Sequence, residues 1–171
     1  SFEYFIEDIK IISNSGFGSN ISEKAEKLSR LTACQSTLTL NDTSVTKFEQ
    51  NELVKKVFGN SIMDDFKSFE LTTKDEDGLL GCSATNNGYE KSFGCTHKRE
   101  IYIDKENNCL KGIDHIFKKK DGYPVRYSFR FHVNPELTVV KTMSGNGALI
   151  QISKNKSLLF TINDENLELE K

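Results

Sequence analysis

The chain breaks, almost from end to end, into short runs of β-branched and aromatic residues separated by Gly, Asn, Asp and Lys. That punctuation is the signature of antiparallel sheet. Alternation is cleanest in Tyr127-Ser-Phe-Arg-Phe-His-Val133. Tyr127, Phe129, Phe131 and Val133 fall on one face, and Ser128, Arg130 and His132 on the other. The same pattern predicts about a dozen strands, over Phe2–Ile6, Ile9–Ser13, Ser36–Leu40, Ser68–Thr73, Leu79–Thr85, Arg99–Asp104, Leu110–Phe117, Tyr127–Val133, Leu137–Thr142, Ala148–Ser153, Ser157–Ile162 and Leu167–Glu170. Pro124 and Pro135 fall at predicted strand boundaries, where a missing N–H does least harm. Two connections read as short helices. In Asn20 to Arg30, Asn20 can cap, Glu23 follows three positions on, and Ile21, Ala25 and Leu28 share a face. In Gln50 to Phe66, Leu53, Val54, Val57 and Phe58 fit one or two turns before Gly59-Asn60 interrupts them. Each sheet must bury one face against another layer, so the expected architecture is all-β, an antiparallel β-sandwich of supersandwich-like form with one or two short helices.

A length of 171 residues suits one domain with a sizeable core. Its 23 basic and 25 acidic side chains are interspersed, with no basic block to track a phosphate backbone, so nucleic acid is not an expected partner. No apolar run approaches the about 18 residues a membrane helix needs, and no membrane partner is expected. The sequence opens directly in strand-like residues, Phe2 to Ile6, which suggests that a further segment lies upstream. Cys34, Cys82, Cys95 and Cys109 are widely spaced, without a CxxC pair, and read as free thiols; an even count also permits disulfides.

Chemistry concentrates in Asn87 to Asp104. A strand at its end places His97 and Arg99 on the same face as Ile101 and Ile103. An arginine pointing inward must be paired. Either it bonds a carboxylate or carbonyl within the fold, or it lies at the mouth of a groove and meets an anionic ligand. His97, His115 and His132, the only imidazoles, match no compact ligand motif, so no metal site is expected. No G-x-S-x-G elbow, P-loop, Rossmann fingerprint or H-E-x-x-H is present.

Several segments, in order, resemble the carboxyl-terminal domain of heparinase II/III-like proteins of the alphaproteobacterial type. They are Phe2-Glu3 with Ile11-Ile-Ser-Asn-Ser-Gly16; Ala33-Cys-Gln-Ser-Thr-Leu38; Asn87-Gly-Tyr89, Phe93-Gly94 and His97-Lys-Arg99; Leu110-Lys-Gly-Ile-Asp114; and Arg130-Phe-His132 before Pro135. Where the family commonly has histidine before Ser-Thr, this chain has Gln35, a neutral amide that cannot act as a base. Gln35 either bonds local backbone or touches substrate.

Lyases of this family cleave uronic-acid-containing polysaccharides by β-elimination, without a cofactor. Much of their machinery lies in a helical toroid upstream of the sandwich. The resemblance therefore implies an acidic polysaccharide and that toroid, an N-terminal helical domain of the same protein, as partners. It also suggests a periplasmic location and a chain inactive by itself. His97, Arg99 and Gln35 are then the candidate substrate-binding residues of a cleft wall. The alternative is a non-catalytic carbohydrate-binding or structural sandwich.

Overall fold

A computed structural model describes the chain except at residues 17, 46, 60, 64–68, 77–78, 120–124, 164–166 and 171. The strands are, in chain order, β1 (Tyr4–Ile6), β2 (Ile9–Ser13), β3 (Leu38–Leu40), β4 (Phe69–Glu76), β5 (Leu79–Asn86), β6 (Cys95–Asp104), β7 (Cys109–Lys118), β8 (Tyr127–Phe129), β9 (His132–Val133), β10 (Thr138–Lys141), β11 (Gly147–Ser153) and β12 (Lys156–Thr161). All pairings between them are antiparallel. They form four sheets, ordered β1-β2-β9, β3-β8, β4-β5-β6-β7 and β10-β11-β12.

Two hydrophobic clusters hold the sheets face to face, giving the all-β, sandwich-like fold. In the first, Leu38 and Leu40 of β3 and Phe129 of β8 meet Cys95 of β6 and Ile116 of β7, with Tyr89 beside them. In the second, Ile11 and Ile12 of β2 meet Ile150 of β11, flanked by Phe131, Val133, Leu158 and Phe160. Ile11 and Ile12 are both buried although neighbours on a strand face opposite ways, so β2 is covered on both sides.

The alternating stretch Tyr127 to Val133 serves both clusters. It is not one strand, as its pattern suggests: β8 pairs with β3 and β9 with β2, and the chain changes partner at Arg130 and Phe131. The alternation survives the break because each half still has a core to face.

Among the described residues three short α-helices complete the fold, one more than expected. α1 (Glu23–Ser29) is capped by Ser22, whose hydroxyl accepts from the Ala25 N–H, while Asn20 belongs to a preceding 3-10 turn. α2 (Glu52–Phe58) is capped by Asn51 and stops at Gly59, which takes φ 67°. α3 (Glu90–Phe93) is a single turn, too short to show a period in sequence. Leu167 to Glu170, expected as a strand, is irregular; Leu167 is buried and donates its N–H to the Gly145 carbonyl without extending a ladder. Pro124 and the first residue of the strand expected from Ser68 lie outside the described residues.

Candidate functional site

β6 and β7 form a hairpin around residues 105–108, and Asp104 pairs with Cys109. Antiparallel register then sets Arg99 opposite Asp114, with both side chains on the face turned toward the other sheets. Arg99, 7% exposed, donates from Nε to Asp114 Oδ1 at 2.7 Å and from Nη2 to Oδ2 at 2.9 Å. This is the planar fork in which arginine holds a carboxylate best. Nη1 donates to the Ser36 carbonyl at 2.8 Å, and the guanidinium carbon lies 5.6 Å from the ring centres of both Phe2 and Phe131. His97, 5% exposed, sets Nε2 at 2.6 Å from Asp114 Oδ1 and its ring beside Phe129. Burial works to raise the Asp114 pKa, but the bonds from His97 and Arg99 and the charge of Arg99 outweigh it and hold the carboxyl below its ordinary range.

Ser36 is fully buried and every polar group it carries is used. Its N–H donates to Asn14 Oδ1 at 2.9 Å, and its hydroxyl donates to the Ser13 carbonyl at 2.7 Å while accepting from the His132 N–H at 2.8 Å. Its carbonyl receives Arg99. One residue thus ties β2, β9 and β6 together. Gln35, next to it, sends its side chain elsewhere: Nε2 donates at 2.8 Å to the carbonyl of Ser29, an acceptor that the last turn of α1 leaves without a helical partner. The structure therefore joins His97 and Arg99 through Asp114, and places the Gln35 amide with α1. The other histidines stand apart. His132 bonds the Ala33 carbonyl at 2.9 Å, and His115 lies on the opposite face of the β4–β7 sheet, stacked on Phe117. Among the described residues no group of three or more His, Cys, Asp or Glu could hold a metal, and the four cysteines are unpaired.

An open recess of about 340 Å³ lies at one edge of this region, lined by Thr32, Thr37, Leu38, Val45, Asn86 and Tyr89 among others. Asn86 is the cross-strand partner of His97, and Thr32 and Thr37 bracket Gln35 in sequence. Tyr89 donates its hydroxyl to the Thr43 carbonyl at 2.9 Å, and burial pushes its phenol up, so it stays protonated at neutral pH. The recess thus sets hydroxyl and amide groups beside apolar side chains.

Asp114 and Ser36 are the residues that reading His97 and Arg99 by themselves leaves out. Asp114 was within reach: once the hairpin turn is placed, counting back along both arms puts a carboxylate opposite the inward arginine. Ser36 carries no such signal, because its four contacts come from segments distant in sequence.

No curated protein and no solved structure matches the chain. One family does match, over residues 1–171, and the whole chain therefore belongs to the heparinase II/III-like, C-terminal family.

Proposed function

We propose that this chain is one domain, the sandwich of a polysaccharide lyase that cleaves uronic-acid-containing glycans by β-elimination, and that its recess forms one wall of the cleft. The observation that carries the reading is the family membership over the full length of the chain. Elimination requires the uronate carboxylate to be neutralised so that the C5 proton becomes acidic, a base to remove that proton, and an acid to protonate the leaving oxygen. It consumes neither water nor a redox cofactor. The base and acid are assigned to an N-terminal helical domain of the same protein, and the alphaproteobacterial type and a periplasmic location follow from the sequence resemblance.

Within this domain His97 and Arg99 act on the wall from beneath. Their bonds to Asp114 and Ser36 fix the backbone at Asn86 and Thr37, two residues that line the recess. Gln35 lies in sequence between the lining residues Thr32 and Thr37, with its side-chain amide held on the Ser29 carbonyl rather than turned to the recess. Its replacement of the family's histidine favours a second reading, a sandwich that binds an acidic glycan without cleaving it.

The test is lyase activity of the full-length parent on heparin, heparan sulfate, alginate and hyaluronan, followed by the ultraviolet absorbance of the unsaturated uronate, with this chain run beside it. Activity in the parent alone is expected. Silence in both on every acidic glycan would sink the lyase reading and leave the binder.

A further inference from the structure

We propose that Arg126 and Arg130 form a binding site for the oxyanion of an acidic sugar, and that Asp42 occupies it when no glycan is bound. The inference rests on the reading of this domain as glycan-facing and adds where the charge of the ligand is met. Two guanidiniums converge on one carboxylate: Arg126 Nη2 lies 2.9 Å from Asp42 Oδ2, and Arg130 Nη2 lies 3.4 Å from Oδ1. A carboxylate thus already fits between the two arginines, and the cluster carries one positive charge more than it neutralises.

The arrangement is held by backbone. Asn41 and Asp42 both take left-handed φ, 49° and 53°, directly after β3. Asn41 and Arg126 clamp that turn to the start of β8, with Asn41 N–H donating to the Arg126 carbonyl and Arg126 N–H donating to Asn41 Oδ1, both at 2.8 Å. Arg130 is anchored from below. Its Nη1 donates to the hydroxyl of Thr39, a fully buried residue, and its N–H donates at 3.0 Å to the carbonyl of Thr37, which lines the recess.

The upper part of the cluster is open. Arg126 has 82% and Asp42 53% of the side chain exposed, whereas Arg130 has 30%. An exposed ion pair of this kind is weak in water, so a ligand oxyanion can displace Asp42 without a large penalty. Arginine presents donors in a plane that suits both carboxylate and sulfate, and two of them oriented by the fold give a direction as well as a charge. The bonds from Arg126 and then Arg130 hold the Asp42 carboxyl below its ordinary range, the stabilisation that a ligand carboxylate taking its place would also receive.

The experiment titrates the 171-residue chain by calorimetry with a hyaluronan tetrasaccharide, which carries carboxylates only, with a heparin tetrasaccharide, which adds sulfates, and with a neutral chitin tetrasaccharide. The acidic ligands bind and the neutral one does not. Arg126→Ala lowers the affinity about fivefold, the upper range for an exposed charge contact. Asp42→Asn raises it by a similar factor, because the competing anion is gone while asparagine still tolerates the left-handed turn. A heparin response without a hyaluronan response assigns the site to sulfate; a response to both shows that carboxylate suffices. Acidic glycans binding equally to wild type, Arg126→Ala and Asp42→Asn would overturn the inference while leaving the proposed function intact. Absence of binding to wild type and to Asp42→Asn at millimolar ligand would also overturn it, and lyase activity of the parent would then decide the proposed function separately.

Discussion

Replacing Asp114 with alanine removes the carboxylate on which Arg99 and His97 converge and leaves Arg99 buried without its counter-charge, still hydrogen-bonded to the Ser36 carbonyl. Removing one partner of a buried ion pair costs about 3–5 kcal/mol. Here the side chain of Asp114 is 16% open, so water can reach the gap, and the rings of Phe2 and Phe131 still face the guanidinium. A loss of about 2–4 kcal/mol follows, which for a chain of this size lowers Tm by roughly 5–15 °C. Urea unfolding followed by circular dichroism reads the same loss as a fall in the midpoint at constant slope. A double-mutant cycle with Arg99→Met isolates the pair: the double variant regains part of the loss, because no charge is then stranded. The pair also predicts a pH dependence. Asp114 has a depressed folded-state pKa, so its contribution is complete above the unfolded value, about 3.9, and is lost as pH falls through the folded value. The Asp114→Ala variant loses this part of the acid sensitivity. A variant within about 0.5 kcal/mol of wild type, with no coupling in the cycle, would refute the claim that this cluster fastens the sheets.

Two further outcomes test the frame around the site. Ser36→Ala removes both bonds of a buried hydroxyl, to the Ser13 carbonyl and from the His132 N–H, groups that still face each other across β2 and β9, and is expected to cost about 1–2 kcal/mol in urea unfolding; a neutral result would mean that the ladder or water replaces both bonds. Gly18→Ala puts a methyl 2.6 Å from the backbone carbon and oxygen of Ala25, where no side chain can swing aside, so helix α1 must shift at a cost of about 1–3 kcal/mol, read as a lower Tm; an unchanged Tm would show that α1 yields freely.

How far the sequence reveals this structure depends on whether a feature is local. The strands β6 and β7 were legible, and the alternation within β6 turned His97 and Arg99 inward, while their pairing as a hairpin was not predicted. The division of Tyr127 to Val133 was not legible. Its pattern is unbroken, while its pairing changes from Leu38 opposite Phe129 to Ser13 opposite His132, a matter of which distant strand arrives. Leu167 to Glu170 differs for the converse reason: alternation is present, but among the described residues no strand pairs with it. At α1 two polar residues competed to cap, and Ser22 reached the Ala25 N–H while Asn20 entered the preceding turn. For Gln35 the residue type excluded a base and left a backbone contact open, yet nothing local could name the Ser29 carbonyl as its acceptor.

The buried charge at Arg99 also has a geometric reason. The face of β6 must meet both hydrophobic clusters in turn, with His97 under Phe129 and Arg99 under Phe131. Between the clusters the chain from Gln35 to Thr37 runs outside any strand, and the Ser36 carbonyl points into the interior without a ladder partner. A hydrophobic side chain at position 99 would fill the space but leave that carbonyl unsatisfied. Arginine reaches it with one nitrogen, brings its own counter-charge through Asp114, and offers flat faces to the aromatic rings on either side. The same bonds hold the positions from which Asn86, at the end of β5, and Thr37, just before β3, line the recess. A change at Arg99 or Asp114 would therefore alter the shape of the recess, even though neither side chain lines it.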